Sequence, residues 1–111
     1  MLRLNRHCIG DSTSASGNST TAVGGESIAT GPGATAYGWQ SVAGAERATA
    51  LGHLAAATGV RSVAVGEAAM ASGMNAIAVG NEASASYDNS VAIGNGATTT
   101  RDDQVAIGGD D

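Results

Sequence analysis

The 111-residue chain lacks most of the side chains from which globular cores are built. It contains no Phe and no Lys, and only one Trp, one Pro, one Cys and two Tyr. Without large apolar side chains, a single thick interior is excluded. One cysteine cannot form a disulfide within the chain, so no disulfide framework stabilises it.

Positive charge and long apolar runs are also scarce. Five arginines face ten acidic residues, for a net charge of -5, and a nucleic-acid partner, which needs clustered basic residues, is excluded. No apolar run approaches the ~18 residues of a membrane-spanning helix. The start, MLRLNRHCIGD, has no hydrophobic region typical of a secretory signal. We therefore expect a fragment of a longer protein, with any signal or membrane anchor outside this sequence.

Glycine is abundant instead, and it recurs with a fixed period. Eight glycines follow one another at steps of fourteen residues with no insertion or deletion, which identifies an internal repeat. We treat residues 1–111 as a single domain of about eight repeats, with 1–10 as a degenerate first coil and 109–111 as its end. These anchor glycines are Gly10, Gly24, Gly38, Gly52, Gly66, Gly80, Gly94 and Gly108.

The residues around each anchor glycine keep their type from repeat to repeat. Two positions before the anchor stands Ala in seven repeats and Cys8 in the first, between positions that are mostly β-branched. Alternation of small and branched residues is typical of a β-strand. A second alternation, with small residues three and five positions after the anchor, predicts a second short strand. A further set of glycines marks the second turn, where we expect positive φ angles: Gly17, Gly31, Gly59 and Gly73.

Two strands and two turns in fourteen residues predict one coil of a parallel β-solenoid, stacked on the next coil at ~4.8 Å. The chain is thus predicted to be all-β, and no 3.6-residue period supports a helix. Only small side chains fit inside so narrow a coil, so we expect the Ala columns inside and Cys8 as a buried thiol.

The branched columns must then lie outside. A monomer does not tolerate an apolar stripe along its whole length, and buried Ala side chains offset little of the ~1–2 kcal/mol that ordering each residue costs. We therefore predict an obligate oligomer, in which this stripe contacts other copies of itself. The predicted interface residues are Val23, Tyr37, Leu51, Val63, Val65, Ile77, Val79, Val91, Ile93, Val105 and Ile107.

Three segments carry a resemblance to a known family. NSVAIGNGA, NAIAVGNEASA and RSVAVGEAAMASG closely resemble the YadA-like head repeats of trimeric autotransporter adhesins, most clearly over residues 59–108. The resemblance implies a left-handed parallel β-roll of 14-residue coils that assembles as a parallel homotrimer. It also implies a non-enzymatic adhesin head, projected from the outer membrane at the bacterial cell surface. Such heads bind host matrix or cell-surface proteins, or one another in aggregation; a structural spacer is the alternative.

One aromatic residue suggests where a ligand could bind. Trp39 and Gln40 directly follow an anchor glycine, and His53 and Leu54 occupy the same positions one repeat later. Exposed aromatic residues are enriched in binding hot spots, so these four residues are our predicted ligand contact. The alternative is that Trp39 folds over the turn and covers a subunit edge.

Charged residues concentrate just before the first strand of each coil. Inter-subunit salt bridges there are one hypothesis, and a solvated rim is the other. The cluster consists of Glu46, Asp88, Asp102, Asp103, Arg47, Arg61 and Arg101.

No pattern predicts catalysis, a cofactor or a metal site. His7 and Cys8 are adjacent and point to opposite faces of a strand, so they cannot bind one ion together; three copies of His7 around an axis remain a hypothesis. Nucleophile triads, Walker patterns and a complete GxGxxG are all missing. Three other solenoid classes do not fit the sequence. An acyltransferase β-helix would have six-residue repeats, an ice-binding solenoid would have regular rows of Thr, and a calcium-binding β-roll would have GGxGxD repeats.

Overall fold

The computed structural model describes residues 6–108. Within them the chain forms fourteen β-strands and no helix, and accordingly no helix that could cross a membrane. The strands are β1 (Arg6–Ile9), β2 (Ser14–Ala15), β3 (Thr20–Val23), β4 (Ile28–Ala29), β5 (Thr35–Tyr37), β6 (Val42–Ala43), β7 (Thr49–Leu51), β8 (Ala56–Ala57), β9 (Val63–Val65), β10 (Met70–Ala71), β11 (Ile77–Val79), β12 (Ser84–Ala85), β13 (Val91–Ile93) and β14 (Val105–Ile107).

The strands form two parallel sheets. The eight-stranded sheet has the order β1-β3-β5-β7-β9-β11-β13-β14, and the six-stranded sheet runs from β2 to β12 through the even-numbered strands. Paired residues are fourteen apart, as in the pair Ala64 and Ala78. Each coil therefore stacks on its neighbours in sequence, and the prediction of an all-β parallel solenoid with fourteen-residue coils is confirmed.

The interior is filled by small side chains, as predicted. Nineteen alanines are buried, and no buried side chain in the described part of the chain is larger than threonine. Six of the seven alanines in the column before the anchor are completely buried, while Ala106 is only partly covered in the last described coil. The prediction of a buried Cys8 thiol is wrong: this residue is exposed, because β1 is an edge strand of its sheet.

Each coil turns twice through left-handed backbone. The residues two and nine positions after the anchor glycines Gly10 to Gly94 have positive φ, from 56° at Arg47 to 74° at Gly33. Because these positions are seven residues apart, each coil consists of two similar halves. Twelve of the fourteen are not glycine: Ser12, Ser19, Glu26, Gln40, Arg47, Leu54, Arg61, Ala68, Asn75, Glu82, Asn89 and Asp103.

The second-turn glycines serve close approach, so the expectation of positive φ at Gly17, Gly31, Gly59 and Gly73 is wrong. A Cβ at Gly31 would collide with the carbonyl of Ala45 in the next coil, and a Cβ at Gly73 would collide with that of Tyr87. The absence of a side chain lets the coils pack closely here.

The anchor glycines combine both constraints. Gly66 has a φ of 125°, and a Cβ on it would lie 2.8 Å from the backbone of Gly80. L-residues rarely adopt such a backbone conformation. The sequence period of fourteen is thus a direct consequence of the turn geometry.

Candidate functional site

The outer face of the eight-stranded sheet carries two apolar columns. In the centre Val63, Val65, Ile77 and Val79 are partly buried, while towards the ends exposure rises, to 75% at Ile107. All eleven residues predicted to form the subunit interface lie on this one face. That other copies contact it remains a prediction.

One of these columns changes character along the rod. His7 pairs in register with Thr21, and Thr35 and Thr49 continue the column before it becomes Val63. The first coil therefore presents an imidazole and the next three present hydroxyl groups at the position where the later coils present Val or Ile. Within residues 6–108, no group of three or more His, Cys, Asp or Glu side chains could hold a metal ion. An ion held by several copies of His7 stays a hypothesis.

The first turns carry a ladder of side chains. Trp39 stacks on His53 with a centroid distance of 4.7 Å and an interplanar angle of 5°. His53 Nδ1 lies 3.4 Å from Glu67 Oε2 in the next coil, and Gln40 Nε2 donates a hydrogen bond of 2.7 Å to Glu26 Oε1 in the preceding coil. We call Glu26, Trp39, Gln40, His53, Leu54 and Glu67 the first-turn patch.

The predicted ligand-contact residues Trp39, Gln40, His53 and Leu54 thus lie together. Sequence reasoning missed Glu26 and Glu67 as members of the patch, although the fourteen-residue period places both in the same two columns. That a ligand contacts these residues stays a prediction.

Two members of the patch expose large apolar surface. Trp39 is 54% and Leu54 44% exposed. Leu54 also has a φ of 64°, a conformation that costs roughly 1–2 kcal/mol because its Cβ approaches the following carbonyl oxygen. The other non-glycine residues with left-handed backbone are polar or, at Ala68, small. Both the exposure and the backbone of Leu54 are therefore unfavourable in an isolated chain.

The second turns carry the predicted charged cluster. Arg47 Nη2 is 3.8 Å from Glu46 Oε2 in an exposed pair, which contributes little to stability. Arg61 Nε donates to Asn75 Oδ1 at 3.0 Å, and Asn75 Nδ2 donates to Asn89 Oδ1 at 3.2 Å. The two arginines occupy the same position in adjacent coils.

Most of the acidic members of this cluster lie towards the last coils, and two of them connect coils. The backbone N–H of Met74 donates to Asp88 Oδ1 at 2.9 Å, and that of Asp88 donates to Asp102 Oδ1 at 3.1 Å. Arg101 and Asp103 are exposed at the same turn. Asp88 and Asp102 therefore stabilise the stacking within one chain, and salt bridges between subunits remain a hypothesis.

The outer face of the six-stranded sheet carries fewer large side chains. Along its central column Met70 is 50% and Ile28 38% exposed, with Val42 and Ala56 partly buried between them. The neighbouring position is Ser, Thr or Gly in every coil. This face is a narrow strip of small and apolar groups.

The repeat and its coil geometry match a known family. The sequence profile of the YadA head domain repeat matches residues 9–27, 15–41, 29–55, 57–83, 71–97 and 85–110, which together span most of the chain. The chain belongs to the YadA head repeat family. Members of this family are non-enzymatic adhesins displayed at the cell surface from the outer membrane.

A solved structure supports the same conclusion for the YadA-like head. The crystal structure of the collagen-binding domain of the Yersinia adhesin YadA is similar, with 33% sequence identity and a TM-score of 0.64. The match covers 88% of this chain and 59% of that chain, so this chain spans less than two thirds of the solved domain. A search of curated proteins found no match.

Proposed function

We propose that this YadA-like head acts as a parallel homotrimer that attaches bacteria to a host matrix protein. The observation that carries the proposal is the exposed apolar face of the eight-stranded sheet. Ile9, Tyr37, Leu51 and Ile93 on that face are between 37% and 64% exposed. Covering a half-exposed side chain of this size contributes about 1 kcal/mol, and a core of alanine alone contributes little per residue.

A threefold arrangement accounts for this face. Parallel copies in register place every coil beside its own equivalent, so the apolar columns cover one another along the whole rod. The six-stranded sheets then face outward. A strip of small side chains is a surface on which another rod-shaped molecule can lie.

The class of partner comes from the similarity. The similar Yersinia structure is a collagen-binding domain, and we propose a fibrous matrix protein of the collagen type as the partner of this head. The competing proposal, a spacer without a ligand site, rests on the regularity of the coils.

Native mass tests the assembly. Light scattering after gel filtration should give three times the 10.7 kDa of one chain. The variant Ile77→Asp, in the centre of the apolar face, should lower the mass towards that of a monomer, while Thr58→Asp, exposed beside the six-stranded sheet, should leave it unchanged. A wild-type monomer would refute the proposed assembly.

Binding to immobilised collagen tests the function. Two similarly exposed methionines provide a matched pair, Met70 on the six-stranded sheet at 50% and Met74 at the second turn at 46%. We expect Met70→Glu to weaken binding of the trimer to the collagen surface by about tenfold, a loss of ~1.4 kcal/mol, and Met74→Glu to have little effect. A trimer that does not bind collagen would favour the spacer.

A further inference from the structure

The apolar face sets the axial register of a trimer only weakly. One column repeats Thr up to Thr49 and the same column repeats Val or Ile from Val63 onward, so sliding one copy by one coil, ~4.8 Å, mismatches that column chiefly at this one step. In a repetitive interface, only residues that differ from coil to coil can distinguish the correct register from registers shifted by one coil. Such residues must lie where the copies adjoin.

A threefold assembly brings different edges of the chain together. Contacts in a cyclic trimer are heterologous, so one surface of a copy contacts a different surface of the next. With the eight-stranded sheets around the axis, the first-turn edge of one copy adjoins the second-turn edge of the next. This step rests on the proposed trimer.

The two edges carry opposite charges at one height, where Arg61 and Glu67 are six residues, or less than half a coil, apart in the repeat. Within residues 6–108 the first-turn positions carry Asp11, Glu26, Glu67 and Glu82 and no arginine. Besides the acidic Glu46, Asp88, Asp102 and Asp103 and the distant Arg101, the second turns carry Arg47 and Arg61. These arginines precede and follow Leu54 by seven residues each, which is half a coil or about 2.4 Å along the axis in a register without slip.

We propose that the first-turn patch of one copy binds Arg47 and Arg61 of the next copy, and that this contact fixes the register of the trimer. The aliphatic parts of the two arginines cover Leu54 and the exposed edge of Trp39, as long basic side chains commonly cover apolar surface. Their guanidinium groups then lie near Glu67. A partner at this place removes the exposed apolar surface of Leu54.

The side-chain contacts within one copy leave room for this pairing. Arg61 uses only Nε, toward Asn75, among the described residues. Glu67 contacts His53 at 3.4 Å and Asn81 at 3.3 Å, and a carboxylate has about four acceptor sites. Its oxygens can therefore accept further hydrogen bonds from a guanidinium group.

The ring of Trp39 is partly covered within its own chain and partly available to a second copy. His53 covers one face at 4.7 Å. On the side of the preceding coil, an added Cβ at Gly25 would lie 3.3 Å from Trp39 Cδ1. Gly25 has no side chain to cover that face, and Trp39 is 54% exposed, so the ring edge and part of one face remain available to another chain.

Disulfide trapping in the full chain with Cys8→Ala tests the register. The pair Ala68→Cys and Asn75→Cys retains the patch and both arginines; it removes the Asn75 acceptor of Arg61 Nε, a change that the control pair shares. The two positions lie half a coil apart at opposite edges of a molecule 25 Å wide. A disulfide needs Cα atoms within about 7 Å, so this pair can form one only between copies. The control pair is Gly96→Cys with Asn75→Cys. It occupies the same two turn positions, but its residues are one and a half coils apart along the axis, so the two thiols meet only if one copy slips by one coil.

We expect oxidation to give covalent trimers at least about fivefold more efficiently for the first pair than for the control, since only the first satisfies disulfide geometry. Adding Arg61→Gln and Glu67→Gln should raise the control product, because the register can then slip. A protein that is trimeric by light scattering but gives no such preference overturns the contact and leaves the trimer standing. A monomer overturns both the contact and the trimer. Collagen binding is measured separately and tests the proposed adhesion.

Discussion

Replacing one anchor glycine should disrupt the stacking of the coils. Gly66→Ala places a Cβ in a backbone with φ of 125°, 2.8 Å from both C and O of Gly80. The neighbour is backbone, so no side chain can move away. Relief requires that the coils separate, which would stretch hydrogen bonds such as Gly80 N–H to Val65 O, at 2.8 Å.

The expected loss combines two terms. A rarely populated backbone conformation costs 1–3 kcal/mol, roughly, and a weakened backbone hydrogen bond costs about 1 kcal/mol. A total of about 3 kcal/mol, divided by the unfolding entropy of roughly 2.1 cal/mol/K for each of 111 residues, lowers Tm by about 13 °C.

Two other glycines provide matched controls. Gly96 has a φ of 72° and nothing within 4 Å of an added Cβ, and at Gly44 the nearest atom would be 3.9 Å away. Gly96→Ala should cost about 1 kcal/mol for its left-handed backbone, and Gly44→Ala should be neutral or slightly stabilising. Circular dichroism melts at one fixed protein concentration make the comparison, because association changes Tm. If Gly66→Ala melts within a few degrees of Gly96→Ala, close approach does not require glycine at the anchor.

Two further variants examine the interior and the ladder. Ala64→Leu should destabilise the chain by at least about 3 kcal/mol, the upper range for overpacking, whereas Val63→Leu on the outer face should be tolerated; equal denaturation midpoints would contradict an alanine interior. His53→Ala should shift the emission of Trp39, the only tryptophan, to longer wavelength and increase its quenching by iodide, with a stability loss of about 0.5–1 kcal/mol. The control is Asn95→Ala, which changes the same turn position three coils later. An unchanged spectrum for His53→Ala, or an equal shift for Asn95→Ala, would show that the stacking is absent.

The coil could be predicted from sequence because stacking requires the same kind of residue every fourteen positions. Ala64 and Ala78 pair directly, so the period in the sequence is the period in space. The alternation of small and branched residues then decides which face is inside. Trp39 and His53 could be grouped for the same reason, since residues one period apart are neighbours.

The conformations of the turns could not be predicted from sequence. Left-handed backbone is usually indicated by Gly or Asn, yet here Gln40, Leu54 and Arg47 adopt it with φ near 60°. A local preference of 1–2 kcal/mol, roughly, is overridden by the strand pairing on both sides of the turn. Gly31 and Gly73 likewise have a role that depends on the next coil, which no local pattern reveals.

Because paired residues are always fourteen apart, the length of this head can change only by whole coils. Loss of a single residue would move every later column to the opposite face of its strand, and the alanine of one coil would be replaced inside by a branched neighbour. Loss or gain of fourteen residues leaves all remaining columns unchanged and alters the rod by ~4.8 Å. Duplication or deletion of repeats in the gene can therefore adjust how far the head extends, independently of the surface that it displays.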